Sequence, residues 1–201
     1  FIGFRVLAKC SGMTTHWGPL RDYHHDLDAM VEYITDYTKL IYLANPDNPT
    51  GTYFTVDDFD RFMEKVPERV LIILDEAYFE YADSLDDYPD SMHYRYDNVI
   101  TLRTFSKAHG LAGFRVGYGF AHEALIENLL KVKLPFEPSW PAQIAAMAAL
   151  EDYDYIEKTV ESCHGGIKQM ELAFDEMCIE YMPSAANFLT LVFNNEEKAE
   201  S

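Results

Sequence analysis

Three clusters of polar residues follow three apolar segments of this sequence, and their side chains are of types that carry acid–base and nucleophilic chemistry. Asn45–Gly51 follows KLIYLA, Asp75–Tyr78 follows VLIIL, and Phe105–Lys107 follows VITLRT, with Gly110–Arg115 close behind. A lysine amine can act as a nucleophile or a base, and carboxylates and phenols accept or donate protons. An arginine can bind an anion through two parallel hydrogen bonds. The clusters therefore predict a reactive site.

Each cluster taken singly also has an ordinary structural explanation. Asn45–Gly51 (NPDNPTG) has the composition of a turn, and Asp75 could cap a helix. Lys107 could be a solvated side chain and Arg115 a surface charge. The order of the clusters argues otherwise, because ligands of open α/β sheets gather at the carboxyl ends of the strands. An amide, a carboxylate with a phenol, and a lysine with hydroxyls would then meet at one edge.

The elements that must position these residues alternate between strand and helix. Apolar segments predict strands at residues 39–44, 70–74, 99–102, 115–120 and 187–193. Helical spacing predicts helices at residues 26–34, 55–66 and 143–150, and one long or broken helix at 153–180. Strands alternating with helices predict a layered α/β fold with a largely parallel sheet. We expect a domain boundary near residue 155, giving domains 1–155 and 156–201.

Composition narrows the class of protein. The chain has 201 residues and a net charge of -18, which argues against nucleic acid and anionic membrane surfaces as partners. No apolar segment approaches the roughly 20 residues that span a bilayer. The 3 cysteines form no C-x-x-C pair, which is typical of reduced cysteines in a cytoplasmic protein. The pair His24–His25 lacks further ligands at suitable spacing, so no metal site is predicted.

The motifs NPDNPTG, DEAY and TFSKAHGLAGFRVGYG together resemble those of fold-type-I, pyridoxal-phosphate-dependent aminotransferases of class I and II. Within that group they are most similar to the histidinol-phosphate branch, and the resemblance extends from about Phe1 to Phe193. It implies a three-layer sandwich with a mostly parallel sheet, followed by the start of a small α+β domain. It also implies pyridoxal 5'-phosphate as the cofactor and a homodimer as the assembly.

The resemblance assigns roles to individual residues. Lys107 would form the aldimine with the cofactor and then transfer protons as a general acid and base. Asp75 would hold the pyridine nitrogen in its protonated form, so that the ring can accept electrons. Tyr78 follows Asp75 by one helical turn, so the two could lie on one helical face. By resemblance, Tyr78 would bind the 3-oxygen of the cofactor together with the amide of Asn48. We expect Lys107, Asp75 and Tyr78 to be the catalytic residues.

The phosphate of the cofactor would be bound by Thr104, Ser106 and Arg115. Gly110 and Gly113 would let the backbone turn tightly enough to return Arg115 to the site. The Asn48–Pro49 peptide is a candidate for the cis form. By resemblance, Asn187 is expected near the substrate carboxylate, although an asparagine at the start of a strand would look the same.

Both ends of the chain look like cuts within a longer protein. It begins with Phe1 and stops in polar residues soon after a strand-like segment. By resemblance, an upstream segment would supply a glycine-rich phosphate loop and an aromatic ring that stacks on the cofactor. A downstream segment would supply an arginine that binds the substrate carboxylate. We expect little or no turnover by these residues alone.

The resemblance leaves three functions open. The first is transfer of an amino group between L-histidinol phosphate and 2-oxoglutarate. The second is a related reaction on the same fold, by an aromatic or aspartate-type aminotransferase or a phosphothreonine decarboxylase. The third is a noncatalytic module that keeps the fold, as in fused transcription regulators. The complete set of cofactor residues favours a working enzyme over the third.

Overall fold

The computed structural model describes residues 2–94, 96–193, 195 and 199. Within this part of the chain the strands are β1 (Leu20–Arg21), β2 (His24–His25), β3 (Leu40–Ala44), β4 (Leu71–Asp75), β5 (Val99–Thr104), β6 (Gly117–Ala121), β7 (Tyr181–Met182) and β8 (Thr190–Leu191). The helices are α1 (Ile2–Cys10), α2 (Leu27–Val31), α3 (Val56–Met63), α4 (Phe79–Ala82), α5 (Glu123–Val132), α6 (Trp140–Leu150) and α7 (Tyr153–Glu176). Two short 3-10 helices cover Ser91–His93 and Ala112–Phe114.

The central sheet has four strands in the order β3-β4-β5-β6. Its first three strands are parallel, and β6 returns antiparallel to β5, with Gly117 opposite Thr104. The predicted mixed α/β fold with a parallel-rich sheet is confirmed. Two antiparallel pairs, β1-β2 and β7-β8, lie outside this sheet.

One face of the sheet is covered by α2 and α3. Thr55 and Asp58 form a capping box at the start of α3, in which each side chain binds the backbone N–H of the other. Helical spacing then places Phe59 and Phe62 on the face that packs on Ile72 of β4, and all three side chains are buried. Each such burial stabilises the fold by about 1.5–3 kcal/mol.

Helices also lie against the opposite face and its carboxyl edge. Phe4 of α1 stacks on Tyr42 of β3, with ring centroids 4.3 Å apart. Ala142 and Ala146 of α6 pack against Phe105 and Val116. The small alanine side chains allow α6 to approach closely. Helical layers on both sides of the sheet agree with the expected sandwich.

The predicted elements differ from the structure mainly at their ends. The long helix expected over residues 153–180 is continuous as α7, and Gly165–Gly166 lies inside it with open space around both residues. The expected domain boundary near residue 155 falls in the first turn of α7 and stays a prediction. The strand expected over residues 187–193 is reduced to β8, and the helix expected over residues 26–34 to α2, capped by Asp26.

Candidate active site

The parallel register brings the predicted site residues to one edge of the sheet. Asp75, the last residue of β4, pairs with Ala44 of β3 on one side and Leu102 of β5 on the other. The polar clusters that follow these three strands therefore leave the sheet side by side. The convergence expected from the sequence is what the register produces.

Asn48, Tyr78 and Lys107 form the centre of this edge. The Asn48 amide Nδ2 donates to the Tyr78 hydroxyl at 2.9 Å. The Lys107 Nζ lies 5.1 Å from the centroid of the Tyr78 ring, a favourable contact for an ammonium. Tyr78 is buried, whereas Lys107 is exposed. The amine is thus presented to open space beside a fixed phenol.

A buried side chain holds the turn that carries Asn48. The buried Asn45 side chain bonds both the N–H and the carbonyl of Phe54, at 2.9 and 3.3 Å. The cis bond expected at Asn48–Pro49 is found instead at Asn45–Pro46, so that expectation was wrong. Both peptides precede a proline and carry only a small cis penalty, so the sequence did not distinguish them.

Asp75 is bound on both carboxylate oxygens. Its Oδ1 accepts the Ala77 N–H at 3.2 Å, and its Oδ2 accepts a hydrogen bond from the Tyr42 hydroxyl. Burial and the negative charge of Asp75 raise the pKa of Tyr42 far above its ordinary value. The expectation that Asp75 and Tyr78 share a helical face was wrong, because a turn separates the end of β4 from α4.

Sequence reasoning missed Tyr42. The signal was its position, because a tyrosine interrupts the apolar segment KLIYLA two residues before the strand ends. Strand alternation puts Tyr42 on the same face as Ala44, which pairs with Asp75.

Thr104, Ser106 and Arg115 form a second group of donors. The Thr104 hydroxyl accepts the Ser106 N–H at 3.1 Å, and the Arg115 Nη1 donates to the Ser106 hydroxyl at 3.3 Å and to the Ala112 carbonyl at 2.9 Å. Gly110, one of the two glycines expected to allow a tight turn, has a left-handed backbone with φ of 69°. Within the segment from Gly110 to Arg115, the second left-handed residue is Arg115 itself, with φ of 51°, and not Gly113. A positive guanidinium and a hydroxyl thus face the same exposed region.

Asn187 lies next to the central group. Its neighbour Phe188 packs edge-on against Tyr78, with ring centroids 5.3 Å apart, and its other neighbour Ala186 is buried in the same cluster. Asn187 itself is exposed. Its contact with a substrate stays a prediction.

The histidines have structural partners. The side chain of His109, two residues after Lys107, is 8% exposed, and its Nε2 lies 3.4 Å from a Glu80 carboxylate oxygen. The His25 Nε2 lies 3.4 Å from Asp47, which is in the turn that carries Asn48, and His25 and Thr50 hold the pKa of Asp47 below its ordinary value against the effect of burial. Both histidines therefore brace segments that carry site residues.

Comparison with known proteins identifies the family. Residues 3–201 match Aminotransferase class I and II. The chain belongs to this family.

Within class I and II, the chain is similar to relatives named histidinol-phosphate aminotransferase. The chain is 46% identical over 175 residues to histidinol-phosphate aminotransferase 2 of Carboxydothermus hydrogenoformans, covering 86% of this chain and 48% of the relative. It is 44% identical over 196 residues to histidinol-phosphate aminotransferase of Halalkalibacterium halodurans, covering 96% of this chain and 53% of the relative. The chain thus spans about half the length of the curated relatives it matches.

Solved structures agree with the fold. Histidinol-phosphate aminotransferase from Sinorhizobium meliloti, in complex with pyridoxal-5'-phosphate, superposes with a TM-score of 0.91 at 30% sequence identity, covering 98% of this chain and 54% of that one. An aspartate aminotransferase from Thermus thermophilus superposes with a TM-score of 0.85 at 16% identity, covering 95% of this chain and 53% of that one. The second likeness is one of fold alone.

Proposed function

We propose that this chain is the cofactor-binding portion of a pyridoxal-phosphate-dependent aminotransferase that moves an amino group between L-histidinol phosphate and 2-oxoglutarate. One observation carries the proposal: the Lys107 amine lies beside the Asn48–Tyr78 hydrogen bond, at the sheet edge where Asp75 ends β4. The printed names of the relatives supply the choice of amino donor.

The side chains present fit the chemical groups of pyridoxal phosphate. An aldehyde needs an accessible amine, and Lys107 is exposed at the site. A phosphate needs charged and hydroxyl donors, and Arg115 already contacts Ser106. A pyridine nitrogen needs an anionic acceptor, which Asp75 supplies. The phenol oxygen of the cofactor needs donors such as Tyr78 and Asn48, which are held in contact.

The protein would act by binding, orientation and proton transfer. When bound, pyridoxal phosphate supplies an aldehyde that captures amines and a ring that accepts electrons. Lys107 would hold the cofactor and then carry a proton on Nζ from one carbon atom to another two bonds away, a 1,3-shift. Asp75 would keep a proton on the ring nitrogen. Its carboxylate is oriented for this by the Ala77 N–H and the Tyr42 hydroxyl.

Covalent labelling at Lys107 tests the proposal. The full-length protein that contains this chain would be incubated with pyridoxal phosphate and reduced with borohydride, and the modified peptide located by mass spectrometry. We expect one phosphopyridoxyl group on Lys107, lost in Lys107→Ala and retained in Lys168→Ala, which removes an exposed lysine of α7. Histidinol phosphate, aspartate and phenylalanine would then be compared as amino donors. Labelling scattered over surface lysines, or none, would refute the cofactor site.

We further propose that the complete protein is a cytoplasmic homodimer. Large apolar side chains are exposed on α6 and the segment before it, including Leu134, Phe136, Trp140 and Met147. A patch of this kind is typical of an interface. The described cysteines Cys10, Cys163 and Cys178 are free, in line with a reducing compartment. No helix among the described residues is long and apolar enough to cross a membrane. Sedimentation of the full-length protein at monomer mass would contradict the dimer.

A further inference from the structure

A buried ionic cluster lies behind the site, and none of the roles assigned above uses it. The Arg103 guanidinium donates from Nε to a Glu76 carboxylate oxygen at 2.8 Å and from Nη2 to Asp90 Oδ1 at 2.9 Å. Its Cζ lies 3.3 Å from the centroid of the Phe79 ring. The side chains of Arg103 and Glu76 are only 7% and 2% exposed. We call Arg103, Glu76, Asp90 and Phe79 the Arg103 cluster.

The Arg103 cluster lies on the other side of the sheet from the site. In β5, Val99 faces the core under α3, so Arg103 faces that side and Thr104 faces away. Arg103 also pairs with Tyr118 of β6, and its Cζ lies 5.4 Å from the centroid of the Phe120 ring on the same strand. The cluster therefore joins the ends of β4 and β5 to the beginning of β6, on the face of the sheet that α3 covers.

Three members of the Arg103 cluster are chain neighbours of three proposed cofactor residues. Glu76 follows Asp75, Phe79 follows Tyr78, and Arg103 precedes Thr104. At each of these places the backbone places one residue in the cluster and its neighbour at the site. A shift of the guanidinium would move all three site residues, since successive residues share a peptide plane.

The guanidinium is the group that can make this connection. Its planar fork presents several donors in a fixed geometry and stacks on an aromatic face, whereas a lysine ammonium is a point charge on a flexible stem. At Arg103 the fork binds two carboxylates from different segments while its face covers Phe79. These contacts fix the orientation of the guanidinium as well as its distances from Glu76, Asp90 and Phe79.

We propose that Arg103 is a positioning residue of the active site: its guanidinium sets the spacing of Asp75, Tyr78 and Thr104 by holding their chain neighbours on the opposite side of the sheet. The consequence for cofactor binding rests on the function proposed above. The consequence for the backbone does not, because it concerns the protein without cofactor.

The test uses Arg103→Lys in the full-length protein, with Arg61→Lys as the matched control. Arg61 makes an exposed ion pair with Asp58 on α3, so the same chemical change there leaves the Arg103 cluster intact. Amide hydrogen exchange of the cofactor-free proteins would be followed by mass spectrometry over residues 75–79, 103–107 and 56–63. Pyridoxal phosphate affinity would be measured by absorbance titration.

We expect Arg103→Lys to accelerate exchange about tenfold in residues 75–79 and 103–107, to leave α3 unchanged, and to weaken cofactor binding by about the same factor. Arg61→Lys should change neither. Unchanged exchange in residues 75–79 and 103–107 would overturn the proposal, because Arg103 would then have no effect on the site. Equal acceleration in α3 would also overturn it, because Arg103 would then stabilise the whole fold and not the site in particular. If Arg103→Lys fails to fold, Asp90→Asn, which keeps the side-chain shape and weakens the bond from the Arg103 Nη2, is judged by the same criteria. A wild-type protein that takes up no cofactor refutes the proposed function, and the exchange result still decides the role of Arg103.

Discussion

Glu76 should make the stability of this protein depend on pH near neutrality. Burial raises the pKa of Glu76 to about 7 from its ordinary value of 4.5, because loss of hydration outweighs the attraction of Arg103 and the hydrogen bond that it donates. A tenfold change in proton affinity corresponds to about 1.4 kcal/mol. The raised pKa of Glu76 therefore represents about 3 kcal/mol of stability that depends on protonation.

The sign follows from comparing the folded and unfolded states. Below pH 4.5 Glu76 is protonated in both states, so its full contribution to stability is present. Between pH 4.5 and about 7 the folded protein keeps a proton that the unfolded chain has released. The free energy of unfolding therefore falls as pH rises, by up to about 1.4 kcal/mol for each pH unit, and this contribution levels off above pH 7.

Glu76→Gln isolates this contribution, because the amide has nearly the same shape and does not titrate. The assay is urea unfolding of the cofactor-free protein at several pH values between 4.5 and 8. The free energy of unfolding of Glu76→Gln minus that of the wild type should rise by about 3 kcal/mol over this range. Glu68→Gln, an exposed glutamate in the turn before β4, should follow the wild type throughout. Parallel pH profiles for Glu76→Gln and the wild type would refute the reasoning and show that Arg103 keeps Glu76 ionised.

Two further substitutions probe the site and the core. Tyr78→Phe removes the acceptor of the Asn48 amide, so we expect about 1 kcal/mol less stability without cofactor and several-fold weaker cofactor binding, measured by urea unfolding and absorbance titration. Tyr53→Phe, which breaks an exposed bond to Asp87, is its control, and equal effects from both would contradict a special role for Tyr78. Phe59→Ala empties the centre of the core under α3 and should cost about 3–5 kcal/mol by urea unfolding, whereas a loss below about 1 kcal/mol would mean that the core closes around the gap.

The parts of the fold that sequence could predict are those in which local pattern and tertiary packing agree. The apolar segments before Asn45, Asp75 and Phe105 became parallel strands, because each is long enough to cross the core and ends in residues that favour a turn. Periodicity does not encode pairing direction, so the antiparallel return of β6 was not foreseen. Element ends were also missed, as at β8, since fraying and caps depend on neighbours distant in sequence.

The site residues follow the same rule: those in a local sequence pattern could be predicted, and those that depend on contacts distant in sequence could not. Lys107, Asp75 and Tyr78 were predicted because reactive side chains at strand ends form a local pattern that the register of parallel strands then assembles. The bond from Tyr42 to Asp75 joins residues 33 positions apart, and the bond from Arg103 to Glu76 joins residues 27 apart. Neither separation has a periodic signature, so neither contact could be read before the strands were aligned.

This division has a physical reason that bears on how the site works. The residues proposed to react with the aldehyde and to bind the phosphate of the cofactor, Lys107 and Arg115, are exposed, and charged residues of this kind stand out in a sequence. Residues that hold the site must be buried, and burial is tolerated for a charge only when partners surround it. Arg103 satisfies that condition through Glu76 and Asp90, and its burial protects these contacts from competition by water. A flexible, solvent-exposed amine is therefore carried by a backbone whose strand ends are fixed from the opposite side of the sheet.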